Sequence, residues 1–434
     1  MISPAMTMCR ARRIVRGIGA SLLLSLAAAA NAGPAVLLTH GVIHTEAVNG
    51  TLTDGDVLIV GGRIAQIGKG LVAPEGATVL ELHGRPVTPA LFGGINHLGV
   101  IEVSQESVTD DSTLKLGQMR PEFEPALAFN PDSIPVQVAR AEGIGFAVIE
   151  PGAEAGHKGA PGSSVIAGLA SVVRLDGRTP RAASALTVLV GQDAAPLAGE
   201  SRAAAWMLLS QALAEARGPA APQSTEQRLL TPAGRRVLKG FALEQKPLLI
   251  EADRTADIRA AVEFAHREKL RIVIHGGTEA WRVAALLKRA DVAVVLDPFN
   301  DLPDSFDQLG ATLENAARLH AGGVTIAFSL SSSEPHDIRK VRQAAGIAVA
   351  HGLPWATALS AITSTPARIF RAASEFGTIE PGRMANLVVW SGDPLEVTSL
   401  VDAAWLNGER ESLRSRQTEL RDRYLAKVRA GNAR

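Results

Sequence analysis

Short runs of alternating apolar and polar residues follow an apolar stretch at the start of the chain. Between residues 35 and 88 these runs are separated by Gly, Asp and Asn, and Gly61-Gly62 lies between two of them. Alternation with a period of two is typical of half-buried β-strands, and the glycines mark turns. We therefore predict a small β module here. Its predicted strands are residues 35–38, 41–44, 56–60, 63–67 and 78–81.

The same pattern returns near the C-terminus. An apolar run covers residues 385–390, and a second run, residues 403–406, precedes Asn407-Gly408, a dipeptide that favours a tight hairpin. Two β segments that are distant in sequence can complete one domain. We predict a small β-sandwich built from residues 33–88 and 377–411, followed by a charged C-terminal helix over residues 412–434.

Between these ends, short apolar runs alternate with longer amphipathic segments. The runs are rich in β-branched residues, as in parallel strands covered on both faces, and the segments have helical periodicity. This alternation predicts an α/β fold, a TIM (β/α)8 barrel over residues 89–376, with functional residues at the C-terminal ends of its strands. The predicted strands include residues 146–150, 248–251, 271–275, 292–296 and 324–328.

Charge narrows the classes of partner. The 434 residues include 44 Lys and Arg and 44 Asp and Glu, so no positive excess is available to neutralise a phosphate backbone. We therefore expect no nucleic-acid partner.

The N-terminus has the pattern of an export signal. A basic stretch with four arginines precedes the apolar run of residues 18–30, and Ala30-Asn31-Ala32 offers small residues at cleavage spacing. We predict that residues 1–32 are a cleaved signal peptide and that the mature protein is periplasmic or secreted, with no membrane association. Cys9, the only cysteine, would leave with the signal, so thiol chemistry and disulfides are not expected.

Four further segments carry motifs. Residues 88–99 read Thr-Pro-Ala-Leu-Phe-Gly-Gly-Ile-Asn-His-Leu-Gly, and residues 129–136, 274–281 and 377–395 are the other three. They resemble the amidohydrolase superfamily, in particular its exported, imidazolonepropionase-like branch. In that branch a Pro-Gly-Leu-Ile-Asp-x-His-x-His-Leu-Gly segment ends the first barrel strand, and residues 377–395 are close to the closing signature of the family. The four segments extend over almost the whole mature chain.

The resemblance implies hydrolysis assisted by one or two divalent metals, which lower the pKa of a bound water and polarise the substrate carbonyl. In the first-strand pair, the leading histidine of the family matches Ile95, which cannot bind a metal, and the second matches His97, which can. After the fifth strand, the family's histidine matches Glu251, a competent oxygen ligand. The sixth strand supplies His275, although a shift of one residue would place Gly276 there.

After the eighth strand, the family has an aspartate that takes the proton of the water. Residues 327–332 contain no aspartate. The next acid is Glu334, followed by His336, and we predict both as catalytic groups on an active-face loop. The predicted metal ligands are His97, Glu251 and His275. Because this set is reduced, the expected cofactor is one divalent metal, zinc first, or none.

Each candidate also has a structural alternative. His97 can be a histidine packed in a decayed pocket, and His275 can close a turn between a strand and a helix. Glu251 lies beside Asp253 and Arg254, where it can form an ion pair or cap the helix that begins near residue 256.

Two functions follow from the sequence. The first is a divergent amidohydrolase-like hydrolase for the non-peptide C–N bond of a cyclic or small amide. It would use metal-assisted attack of water, or Glu and His residues alone. The second is a catalytically inactive pseudoenzyme that serves as a binding or assembly subunit. The expected partner is a small molecule, and either a homo-oligomer or pairing with an active relative is expected.

Overall fold

The computed structural model describes residues 34–156, 160–178, 183–218, 228–331 and 334–432. The predicted signal peptide, residues 1–32, lies outside these ranges. Among the helices within them, none is long and apolar enough to cross a membrane.

Strands from both ends of the chain form one eight-stranded sheet. Near the N-terminus, β1 (Ala35–His44) pairs antiparallel with β2 (Thr51–Val60) and parallel with β4 (Thr78–Glu81) and β5 (Pro86–Pro89). From the far end of the chain, β14 (Leu387–Trp390) pairs antiparallel with β5. The separate sheet domain predicted from the two ends is therefore confirmed. Its strands are β1 (Ala35–His44), β2 (Thr51–Val60), β3 (Arg63–Gly68), β4 (Thr78–Glu81), β5 (Pro86–Pro89), β14 (Leu387–Trp390), β15 (Val401–Leu406) and β16 (Glu409–Arg410).

A second eight-stranded sheet forms the barrel predicted from the alternating pattern. Its strands follow one another in space in chain order. They are β6 (Leu91–Asn96), β7 (Ile144–Ile149), β8 (Ile166–Arg174), β9 (Ala183–Leu189), β10 (Leu248–Ala252), β11 (Ile272–Gly276), β12 (Ala293–Leu296) and β13 (Ile326–Phe328). Neighbouring strands are parallel except around β8, which is antiparallel to both β7 and β9. The barrel thus departs at one strand from the strict β/α alternation expected.

The helices cover the outside of this barrel. In α4, for example, Ile258, Ala261, Val262 and Ala265 are buried, and their spacing of three and four residues places them on one face. The helices are α1 (Ile134–Ala141), α2 (Arg202–Arg217), α3 (Pro232–Glu244), α4 (Thr255–Glu268), α5 (Ala284–Arg289), α6 (Asn315–Ala321), α7 (Val341–Ala350), α8 (Trp355–Ala361), α9 (Ser364–Ile369) and α10 (Arg416–Asn432).

A side chain closes the gap between the first and last barrel strands. The Ser329 hydroxyl, directly after β13, accepts a hydrogen bond from Ile95 N at 2.8 Å and donates one to Ile95 O at 3.1 Å. Gly94 permits this approach, because a Cβ at this position, where φ is +89°, would lie 2.9 Å from Ser329 Oγ. Ile95 and Ser329 therefore form a hydrogen-bonded seam.

The barrel interior is filled by apolar side chains up to a defined level. One buried cluster takes inward residues from all eight strands, including Ile95, Val148, Leu249 and Val273. Side chains alternate along a strand, so the residue two positions further on points the same way, one layer higher. The side chains at those positions determine which chemical groups the C-terminal mouth of the barrel presents.

Candidate active site

Polar residues form the layer above the apolar interior, and four of them lie at or beside one cavity. His97, Glu150, Glu251 and His275 each follow one of the interior residues by two positions, and each lies at or just past the end of its strand. The register of β10 and β11 sets Glu251 directly beside His275. The structure therefore brings together all three predicted metal ligands and adds Glu150, which the sequence analysis did not select.

The polar atoms of this layer are buried without protein partners. His97 Nε2, Glu150 Oε2 and His275 Nδ1 are each closed to solvent and make no hydrogen bond. His275 Nδ1 lies 3.6 Å from Glu150 Oε1, which is beyond hydrogen-bond range. Because buried polar groups in proteins are nearly always satisfied, three such atoms in one layer indicate a place where another molecule binds.

Burial controls the ionisation of the four groups. It raises the pKa of Glu251 to about 7, and the charges of Asp193 and Asp253 add to the effect. Burial, reinforced by repulsion from Glu251, holds the pKa of Glu150 well above its usual range. The same desolvation lowers the pKa of His275 to about 4.

Burial also lowers the pKa of His97. Both histidines are therefore largely neutral near pH 7, and the two glutamates retain protons to higher pH than exposed carboxyls do.

A cavity of about 310 Å³ opens beside this layer. Its wall includes His97, Glu150, Glu251 and Asp193, together with apolar side chains such as Leu189 and Leu197. A cavity of this size lies at the lower end of the range typical of small-molecule sites.

Asp253 is fixed in place next to the layer. Its Oδ1 accepts hydrogen bonds from Thr278 N at 2.9 Å and from Thr278 Oγ1 at 2.7 Å, and its Oδ2 accepts one from Gln308 Nε2 at 2.9 Å. These three donors fix the orientation of the carboxylate. Asp253 acts on Glu251 through its charge.

Other residues fill the structural alternatives for Glu251. Arg254 pairs with Asp257, with Nε to Oδ2 at 2.9 Å, and Thr255 N at the start of α4 donates to Glu279 Oε2 at 3.0 Å. A side chain at Gly276 would not fit here, because its Cβ would lie 2.7 Å from Asp253 Oδ1.

Of the predicted catalytic pair Glu334 and His336, Glu334 lines a second cavity. Glu334 lines it together with Glu106 and Asp110, and accepts a hydrogen bond from Ser104. His336 is half exposed and lies 3.8 Å from Glu334 and 3.6 Å from Asp337. None of the residues that line the first cavity lines this one. Their catalytic role stays a prediction that the arrangement does not support.

The described residues do not fit the metal centre that the resemblance implies. Among them, no group of three or more His, Asp or Glu side chains is placed to hold an ion. Ile95, which matches the family's leading histidine, is hydrogen-bonded to Ser329, within the stretch 327–332 where the resemblance places the aspartate. We therefore derive no chemical step through a metal.

Glu150 and Asp193 are the site residues that sequence reasoning missed. Glu150 directly follows the fully apolar strand β7, as Glu251 ends the apolar run of β10. An acid at the end of a buried strand was therefore a signal available for both. Asp193 lies in the loop after β9, a strand that the sequence analysis did not predict.

Comparisons with known proteins agree with this architecture. Residues 270–411 match the amidohydrolase family. A segment of 58 residues, 13% of this chain, is 36% identical to amidohydrolase tasK of Hapsidospora irregularis, and it spans only 6% of that protein.

Solved structures share the fold over most of the chain. An amidohydrolase from Thermotoga maritima MSB8 is similar with a TM-score of 0.76 and 23% identity over 87% of this chain and all of that one. A prolidase complexed with N-methylphosphonate-L-proline has a TM-score of 0.52 and 16% identity over 87% of this chain and 99% of that one. Molinate hydrolase has a TM-score of 0.53 and 14% identity over 88% and 96% of the two chains.

At these identities the structural likeness establishes the fold, and the sequence match is confined to its C-terminal part. Both are consistent with the predicted hydrolase of C–N bonds, while the imidazolonepropionase-like branch stays a prediction. The chain has a barrel fold that it shares with solved amidohydrolase structures, and its residues 270–411 match the amidohydrolase family.

Proposed function

We propose that the protein hydrolyses a non-peptide C–N bond of a small amide in the cavity beside His97, Glu150, Glu251 and His275. The observation that carries the proposal is the set of three buried polar atoms without partners at the C-terminal mouth of the barrel. Leaving a polar group buried and unsatisfied costs about 1–3 kcal/mol. A bound substrate and water would supply the missing partners.

The glutamates can perform the two proton transfers that amide hydrolysis requires. Burial and mutual repulsion raise the pKa values of both Glu150 and Glu251, so the pair titrates as a unit and retains a proton near neutral pH. The ionised carboxylate takes a proton from water as the oxygen attacks the carbonyl carbon. The protonated carboxyl gives its proton to the nitrogen as the C–N bond breaks. The products are a carboxylic acid and an amine, and the pair regains its starting charge.

The neutral histidines position the reactants. A neutral imidazole presents one N–H donor and one acceptor, and the atoms His97 Nε2 and His275 Nδ1 are not engaged by the protein. One can hold the attacking water and the other can donate to the carbonyl oxygen. Asp253 lies outside this set and contributes its charge, which favours the protonated form of Glu251.

Hydrolysis assisted by one divalent metal on His97, Glu251 and His275 is a separate hypothesis, and measurement of the metal content tests it. A bound ion would supply an activated water at this site. Stoichiometric zinc in protein purified without chelator, together with a thermal shift on adding zinc, would favour it over the carboxylate version.

A panel of small cyclic amides, linear amides and dipeptides, followed by amine release, tests the hydrolase proposal. Glu251→Ala and His97→Ala should lose turnover of the substrate that the panel identifies. Glu263→Gln, on the exposed surface of α4, serves as the matched control and should keep it. Unchanged rates in both site variants would remove the enzyme hypothesis in either version.

A pseudoenzyme is the second candidate, and the seam between Ile95 and Ser329 favours it. Ile95, which matches a histidine of the family, here bonds to Ser329 and so joins the first and last barrel strands. Ligand binding in the cavity with no turnover across the panel would support this reading. We further propose export of the mature chain, a small molecule as partner, and assembly with itself or an active relative.

A further inference from the structure

We infer that the ligand of this cavity carries a positively charged, planar nitrogen group such as an amidinium or guanidinium. The inference rests on the proposed function, since it names the substrate class of the same site. It starts from the charges on the cavity wall. Three of the side chains that line the cavity are acidic, namely Glu150, Asp193 and Glu251, and the described lining contains no lysine or arginine.

The second cavity at the barrel mouth has the same character. Glu106, Asp110 and Glu334 line it, and its described lining likewise contains no lysine or arginine. The charge of Asp110 acts on His97, which lines the first cavity, so the two cavities lie within electrostatic reach of each other. A molecule that enters the mouth therefore meets acids on both sides.

The cations near the mouth are already engaged. Lys115 Nζ lies 2.7 Å from Glu154, and Arg202 Nη1 lies 2.7 Å from Asp307 and 3.2 Å from Asp257. An anionic substrate would find no available counter-ion among the described groups of this wall. A cation would be attracted by these acids and would favour their ionised forms, whereas a neutral substrate would gain no such attraction.

The buried atoms without partners provide an independent reason. Glu150 Oε2 is an acceptor closed to solvent, and His97 Nε2 and His275 Nδ1 can also accept in the appropriate tautomers. A planar cation presents several N–H donors in a fixed fork, which matches carboxylate geometry. One such group can satisfy several of these acceptors and neutralise the repulsion at the same time.

Binding of three probes of similar size tests the inference. They are N-acetyl-L-argininamide, its neutral isostere N-acetyl-L-citrullinamide, and the anionic N-acetyl-L-glutamic acid α-amide, measured by calorimetry on the mature protein after treatment with EDTA. We expect the argininamide to bind at least about tenfold more tightly than the citrullinamide, because unmatched buried charges are costly. The preference should shrink as salt is raised.

Matched variants locate the preference. Glu150→Gln and Asp193→Asn should each reduce the ratio of the two affinities towards one, and Glu263→Gln should leave it unchanged. Two site variants are used so that misfolding of one, visible as a lost thermal transition, still leaves the other.

Equal affinity for the cationic and neutral probes, tighter binding of the anionic probe, or no binding of the argininamide at millimolar concentration would each overturn the inference. It would also be overturned if zinc bound stoichiometrically and abolished the preference, since the acids would then serve an ion. A charge preference without hydrolysis of any amide would support the inference and contradict the proposed function. Turnover of neutral amides without a charge preference would do the reverse.

Discussion

Two groups of buried acids at the barrel mouth differ in how their charge is balanced. Asp257 and Asp307 are held by Arg202 and Arg254 through ion pairs of 2.7–3.2 Å. Although burial acts against it, the hydrogen bond from Arg202 lowers the pKa of Asp307 below its usual value. These side chains join α2, α4 and the loop after β12, so we call them the clamp.

Glu150 and Glu251 have no such balance. No arginine or lysine is paired with either among the described residues, and burial raises both pKa values. The ion pairs of the clamp stabilise the fold. The cavity acids lack such pairs, so they destabilise the fold when ionised and can exchange protons near neutral pH. The comparison shows that burial alone does not define the role of a carboxylate; the presence of a fixed cation does.

The largest expected effect is on turnover in Glu251→Gln. Loss of general acid–base assistance should reduce the rate by about 10²- to 10⁴-fold. In the parent protein the rate should rise with pH through about 7, as Glu251 loses its proton, and this limb should disappear in the variant. A pH–rate profile on the identified substrate measures both. If the rise of the rate near pH 7 persists unchanged in Glu251→Gln, a group other than Glu251 is responsible for it.

The clamp should show the next largest effect, on stability. Arg202→Ala leaves the buried Asp307 without its cation, and we expect a loss of about 3 kcal/mol in the free energy of unfolding. Arg259→Ala, an exposed arginine on α4, should change it by less than about 0.5 kcal/mol. Urea unfolding compares the two. Similar losses in both variants would mean that the clamp contributes little.

Removing the charge of a cavity acid should instead increase the free energy of unfolding, by an amount that depends on pH. Glu251 has a pKa of about 7 when folded and about 4.5 when unfolded, so the folded state binds more protons in this window and stability falls as pH rises through it. Glu251→Gln should therefore be more stable than the parent at pH 8, by on the order of 2 kcal/mol.

The gain should be small at pH 4.5, where the carboxyl is protonated in the folded state and half protonated in the unfolded state. Burial of neutral His275 destabilises the folded state as pH falls from 6.5 to about 4, but this contribution is common to both proteins. Thermal melts across this range, with Glu263→Gln beside them, measure the difference. A gain that did not change with pH would show that repacking causes it.

Loss of the seam should have the smallest effect on the free energy of unfolding. Ser329→Ala removes two hydrogen bonds to Ile95, and we expect a loss of about 1 kcal/mol with the cavity acids undisturbed. Ser329→Thr retains the hydroxyl and serves as the comparison. Amide hydrogen exchange at Ile95 should accelerate in the alanine variant. If exchange there stays slow, strand pairing with β7 rather than Ser329 protects this position.

Sequence reasoning reached most of the fold and part of the site. The period-two and β/α patterns located the two-ended sheet and five barrel strands, because local hydrophobic periodicity depends on neighbouring residues alone. Strands β8 and β9 were not predicted. The reversed direction of β8 follows from pairing with β7 and β9, which no local pattern reveals.

The chain itself determined which side chains end each strand: His97, Glu251 and His275 were selected from motif positions, and alternation fixed the face on which they lie. Only the tertiary structure decided which of them meet. It added Glu150, placed Glu334 in the wall of a second cavity, and joined Ile95 to Ser329 across 234 residues of sequence. The physical reason is that pKa, burial and the absence of a partner depend on groups brought together from distant strands, and barrel closure alone creates those neighbours.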